Sequence, residues 1–274
     1  MKKLLCIWLC LFLFCVVIAN AQLLNSQKLV NAAAKGNLKK VTKLLNKKNI
    51  DVNSFDEKTG DSAFMIAVAN HHWDVANLLT SKGANPYQGN FRAQNAFMQA
   101  IWHNDIEAAM NLLEAGMSPD TYNEDNGMSV LFDMVNLDEG TDRVKFLLEH
   151  GANPNLQNIY GNTPLHNVLN KSRYSAASME KVKLLVENGA KLDIYNKKGF
   201  SPLYYASLSA ALEKPKCIVS LMHQECEPIE YDKNAPLTEK GKIVEYLKEK
   251  GAPALTKEEQ ETLKKEGNKP EILK

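Results

Sequence analysis

The side chains best suited to chemistry gather in three places along the chain. Cys217, His223, Glu225 and Cys226 bring two thiols, an imidazole and a carboxylate into ten residues. Such a set could ligate a soft metal, but the spacing is none of the usual zinc patterns. With eight residues between them, Cys217 and Cys226 read instead as a disulfide in an oxidising compartment. His71 and His72, followed by Asp74, could hold a metal ion or pass a proton. His166 is the third candidate, closing the run Thr163-Pro164-Leu165. The sequence contains no glycine-rich phosphate loop, no G-x-S-x-G elbow and no H-E-x-x-H helix, so it offers none of the common nucleotide, acyl-transfer or metalloprotease signatures. No catalytic residue, metal site or cofactor is expected.

Residues 1–21 stand apart from the rest. Lys2 and Lys3 precede an almost unbroken apolar run, Leu4 to Ile18, that ends at Ala19-Asn20-Ala21. This is the layout of a secretory signal peptide, and it predicts a mature chain beginning at Gln22 in the periplasm or outside the cell. The apolar run is shorter than the ~20 residues a bilayer-spanning helix needs, and no basic flank follows it. Leu5, Leu9 and Phe14 precede Cys6, Cys10 and Cys15, so no cysteine has the small preceding residue of a lipid-anchored form. The full chain of 274 residues carries net charge +1, and loss of Lys2 and Lys3 leaves 31 basic against 32 acidic residues. That balance gives no electrostatic footprint for nucleic acid and no sign of disorder. The length suits one elongated domain or two compact ones.

What must position the candidate residues is a repeat. Gly161-Asn162-Thr163-Pro164-Leu165-His166 recurs in weaker form from Gly60, Gly127 and Gly199, and without its glycine at Asn95. The positions equivalent to Thr163 are 62, 95, 129, 163 and 201, spaced by 33, 34, 34 and 38 residues. A second signature follows in each unit, an apolar pair and then Gly-Ala or its near copy, at Gly83, Gly116, Gly151, Gly189 and Gly251. Thr163 and Ser201 suit helix N-caps, and Pro164 and Pro202 suit the first helical position. Ala67, Ala100 and Ala206 are small where one helix approaches its neighbour. Val75, Leu78 and Leu79 form a single apolar stripe for burial between units, and Gly83 and Gly189 supply the left-handed residue that ends that helix.

This joint spacing resembles the ankyrin-repeat family over residues 26–254, in six units: 26–55, 58–88, 91–121, 125–156, 159–194 and 197–254. The resemblance implies an all-α repeat solenoid, with helix-loop-helix-hairpin units stacked into a curved array whose stability comes from neighbours. It also implies that His72 lies in the loop between helices and that His166 hydrogen-bonds the hairpin and helix turns, both as structural residues. The unit 159–194 is longer near Lys171 to Ser178, and the unit 197–254 carries an insertion near 213–240 that holds both mature cysteines. Residues 255–274 read as a polar C-terminal helix and tail, with Thr256 as N-cap, Glu258 and Glu259 in the first turn, and a solvated face of Glu and Lys.

The resemblance implies a protein-binding module, a monomer with no contact to nucleic acid or, once the signal is cleaved, to membrane. Its relatives bind proteins through a concave groove of hairpin fingers and first helices. An exported effector engaging a host protein is the alternative, and an enzyme built on the insertion near 213–240 comes third. Positions free of packing duty are then Phe91 and Arg92, Trp102 and His103, Met128, Ile159 and Tyr160, and Lys198 and Phe200. Six of these nine are large apolar or aromatic residues, where a solvated hairpin tip would carry Asp, Asn, Lys or Gly. A row of that kind marks an interface; the competing reading is that Phe91 or Trp102 packs against an adjacent finger.

Overall fold

A computed structural model describes residues 25–47, 50–170, 176–213, 218–219, 226–227 and 239–267. The signal-like segment 1–21 lies outside the described residues, as do Cys217, His223 and Glu225. Of Cys226 only the backbone is described, so the expected disulfide is not visible. The chain forms two compact bodies that divide between Asp125 and Asn126.

The first body holds three helical pairs. They are α1 (25–34) with α2 (Leu38–Leu45), α3 (Ala63–Ala69) with α4 (Trp73–Ser81), and α5 (Ala96–Trp102) with α6 (Ile106–Glu114). Each first helix after α1 starts where the repeat places a cap. The Ser62 side chain accepts from the Met65 N–H at 3.2 Å, and that of Asn95 accepts from the Met98 N–H at 3.0 Å. An asparagine therefore fills the threonine slot without loss of the cap. In α4 the stripe is real: Val75, Ala76 and Leu79 are buried and Leu78 is half-buried. Each such Val or Leu contributes about 1.5–3 kcal/mol through burial, and truncating Leu79 to Ala would cost about 2–5 kcal/mol. Ala67 and Ala100 are buried where α3 packs on α5. Gly83 ends α4 at φ +91°, a conformation costly for any residue with a Cβ.

The second body follows the same plan, with α7 (Val130–Asn136), α8 (Thr141–Glu149), α9 (Pro164–Leu169), α10 (Ala176–Glu187) and α11 (Pro202–Glu213). Ser129, Thr163 and Ser201 cap α7, α9 and α11 through the N–H groups of Phe132, His166 and Tyr204. Pro164 and Pro202 open their helices as expected. The unit 197–254 is interrupted after Glu213 and resumes at α12 (Glu239–Glu249), which packs on α11 and α10. Inside the insertion lies a two-residue antiparallel ladder, β1 (Ile218–Val219) with β2 (Cys226–Glu227), pairing Ile218 with Glu227 and Val219 with Cys226. Among the described residues the remaining elements are all helices, as the repeat implies, with one isolated bridge between Phe55 and Ser62.

The tail departs from expectation in one respect. Helix α13 (Lys257–Gly267) forms and Thr256 caps it, its hydroxyl accepting from the Glu259 N–H at 3.2 Å. Glu259, however, does not belong to a solvated face: it is 1% exposed, because α13 packs on α11 and carries the carboxylate to Ser201.

Candidate functional site

In the first body the hairpins are tied finger to finger. The Phe91 N–H donates to the Thr59 carbonyl at 3.2 Å, and Asn90 Nδ2 donates to Asp61 Oδ1 at 2.8 Å. Gly60 leaves room for this approach, since a Cβ there would come within 2.6 Å of the Phe91 nitrogen and ring. Phe91 meets Phe55 of the preceding finger edge to face at 5.9 Å and 74°, yet stays 64% exposed. Both readings of Phe91 thus describe it in part. Arg92 is exposed at the same tip. Trp102 closes α5 and His103 is its C-cap, both on the surface. His103 also lines a cavity of about 250 Å³ with Asp61, Met65, Gln99 and Asp105, where Asp61 Oδ1 accepts from Gln99 Nε2 at 2.7 Å.

In the second body Tyr160 is 60% exposed and Ile159 is exposed beside it. The Ile159 N–H donates to the Asn126 carbonyl at 3.2 Å, and the Tyr160 carbonyl accepts from the Lys197 N–H at 3.0 Å. Met128 is half-buried and Lys198 is exposed. Phe200 is half-buried, stacked on Tyr204 at 4.1 Å and 15° and edge-on to Tyr205 at 6.3 Å. Its ring belongs to an aromatic cluster more than to a free surface.

The histidines separate. His71, at φ +56°, faces Asp105 and Glu107 at 3.0 and 3.5 Å. His72 turns the other way, its Nε2 lying 3.3 Å from the Ala34 carbonyl. Asp74 accepts from the N–H of Val75 in its own helix at 2.8 Å. Among the described residues no cluster of three or more His, Cys, Asp or Glu is arranged to hold a metal. His166 is 1% exposed; its Nδ1 accepts from the Thr163 N–H at 3.2 Å, which leaves Nε2 to donate to the Phe200 carbonyl at 3.2 Å. Burial holds its pKa down to about 4 against the opposing pull of the Phe200 and Ile194 carbonyls. It is a neutral structural residue that links two units.

Four exposed aromatics escaped the sequence reading: Phe55, Tyr87, Tyr122 and Tyr195. A signal existed for two of them, since Phe55 and Tyr122 each stand seven residues before their capping serine, Ser62 or Ser129.

Comparison with known proteins agrees with this geometry. The profile described as ankyrin repeats (3 copies) matches residues 29–123 and 131–235. An ankyrin repeat protein of Fowlpox virus is 36% identical over 74 residues, which is 27% of this chain and 10% of the viral one. One of Rickettsia felis is 43% identical over 56 residues, 20% of this chain and 25% of the other. The matches thus span a tenth and a quarter of those curated relatives. Among solved structures, the ankyrin repeat protein EF0377 has 27% identity and a TM-score of 0.50, with 65% of this chain and 89% of that one covered. An ankyrin repeat domain from Acinetobacter baumannii AYE shares the fold at 24% identity and a TM-score of 0.51, with the same coverage. With the family profile covering more than half of its length and the caps, stripes and hairpins in their places, the chain belongs to the ankyrin-repeat family.

Proposed function

We propose that the chain holds a partner protein through its hairpin fingers and first-helix ends, in the periplasm or outside the cell. Ankyrin repeats are protein-interaction modules, and the finger residues supply the particular support here. Phe91 in the first body and Ile159 and Tyr160 in the second keep large apolar side chains exposed, and Trp102 shows about a third of its surface. Rings held on backbone-tied hairpins lose little freedom on binding, and Trp, Tyr and Arg are the residues most often found as hot spots. Two of the candidate histidines serve the architecture, His72 against the Ala34 carbonyl and His166 between two units. Export is supported by Lys2, Lys3, the apolar run and Ala19-Asn20-Ala21.

Two measurements test this reading. Intact-mass analysis of exported protein should give a chain starting at Gln22, and retention of Met1 would remove the export. Protein beginning at Gln22, used as bait in a periplasmic extract, should retain one stoichiometric partner. A bait that returns only sub-stoichiometric background would count against the binding role.

A further inference from the structure

We infer that a notch in the first body, between the hairpin at 85–95 and the segment 118–125, receives an arginine side chain of the partner. This rests on the protein-binding reading above and names the chemistry of one of its contacts. The notch encloses about 430 Å³ and is lined by the rings of Tyr87, Phe91 and Tyr122, by Gln88, and by Glu124 and Asp125, together with small and amide residues. No lysine, arginine or histidine lines it. Arg92, the cation adjacent in sequence, is exposed at the tip outside that lining.

The walls are held in place before any ligand arrives. The Tyr87 hydroxyl accepts from the Ser118 N–H at 3.3 Å, and Asn123 Nδ2 donates to the Arg92 carbonyl at 3.3 Å, joining the two segments. Phe91 is braced by the Phe55 ring and by its own N–H on Thr59. Gln88 Nε2 donates to the Asn53 carbonyl at 3.3 Å, which turns its amide so that Oε1 is buried with no hydrogen-bond partner among the described residues.

What distinguishes the notch is its pair of carboxylates beside aromatic rings. Two exposed carboxylates accept hydrogen bonds, and the faces of aromatic rings carry negative charge. An anionic or purely apolar occupant would desolvate the carboxylates with nothing in return. A cation that donates in several directions satisfies both. Guanidinium fits better than ammonium because it is planar, stacks on an aromatic face and carries five donors in a fixed fork.

The experiment titrates the capped peptide Ac-Gly-Arg-Gly-Arg-Gly-Arg-NH2 into the ¹⁵N-labelled protein and follows amide shifts. The same peptide with citrulline, isosteric but neutral, serves as control. Shifts confined to 85–95 and 118–125 with the arginyl peptide, and absent with citrulline, are expected. Glu124→Gln combined with Asp125→Asn should weaken binding at least roughly five-fold, the size of an exposed cation–π and carboxylate contact. Both side chains are exposed, so an unchanged melting temperature confirms the fold of that variant. Equal binding of the citrulline peptide, shifts centred elsewhere, or unweakened binding by the double variant would each overturn the inference. The titration uses no partner. Partner capture that survives a failed titration removes the notch alone, whereas a successful titration with no captured protein removes the protein-binding reading and keeps the notch.

Discussion

The carboxylate of Glu259 accepts two hydrogen bonds from Ser201, one from its N–H at 2.7 Å and one from its hydroxyl at 2.6 Å. Ser201 itself caps α11 through the Tyr204 N–H, and Glu259 also accepts from the Thr256 N–H that begins α13. One buried carboxylate thus completes the first turns of two helices and seals the end of the second body. Glu259→Ala leaves the Ser201 N–H without an acceptor and should cost about 1.5–3 kcal/mol, as for other hydrogen bonds to a charged group. Urea unfolding should show the loss, and hydrogen exchange should show α13 and the start of α11 losing protection while α7 keeps it. Unaltered protection of α13 would mean that this contact does not dock the tail.

Acid should weaken the second body in two stages. Burial raises the Glu259 pKa, but hydrogen bonds from Ser201 and Thr256 outweigh it and hold the group below its ordinary value. A lowered carboxylate pKa contributes stability above the unfolded value, and that contribution is lost as pH falls through the folded one. His166 acts at higher pH. Its folded pKa is about 4 against an ordinary 6.5, so between these values the unfolded chain binds a proton that the folded chain refuses. Stability should therefore fall as pH drops from 6.5 towards 4, by up to about 1.4 kcal/mol per unit. Stability curves for the wild type and His166→Gln should differ in slope between pH 6.5 and 5. Parallel curves in that window would show that His166 is not held neutral by the fold.

Lys181 is buried, and its ammonium donates to the carbonyls of Leu137 and Asp138 in the loop between α7 and α8. Lys181→Met keeps the stem and removes the donor. Leaving those carbonyls unpaired should destabilise by about 1–3 kcal/mol. A variant that melts higher than the wild type would contradict the role assigned to the ammonium.

Much of this architecture is legible in the chain because each repeat announces itself locally. A Ser, Thr or Asn every 33 to 38 residues both marks the period and makes the cap, so position and physical cause coincide at Ser62, Asn95, Ser129, Thr163 and Ser201. Glu259 and Lys181 were not legible, because their partners stand 58 and 44 residues away and nothing nearby distinguishes them from solvated charges. The surface divides in the same way. Phe91 and Tyr160 are exposed because they occupy hairpin tips, whereas Phe200 is drawn onto Tyr204 and Tyr205, a stacking that depends on how the next turn of helix is placed. The insertion between Glu213 and Glu239 interrupts the repeat, so its cysteines had only spacing to speak for them.

The most direct test of the binding surface is the affinity of the captured partner for the wild type, for Trp102→Ala and for Tyr160→Ala, measured by calorimetry alongside melting temperature. Tyr160 is 60% exposed and Trp102 37%, so melting should hardly change for Tyr160→Ala, and the loss of Trp102 packing is read separately from its effect on affinity. Affinity should fall by about 2 kcal/mol for at least one of them, the size of a hot spot. If both variants bind as tightly as the wild type, or lose binding only by unfolding, the partner is not held by these finger and helix-end residues.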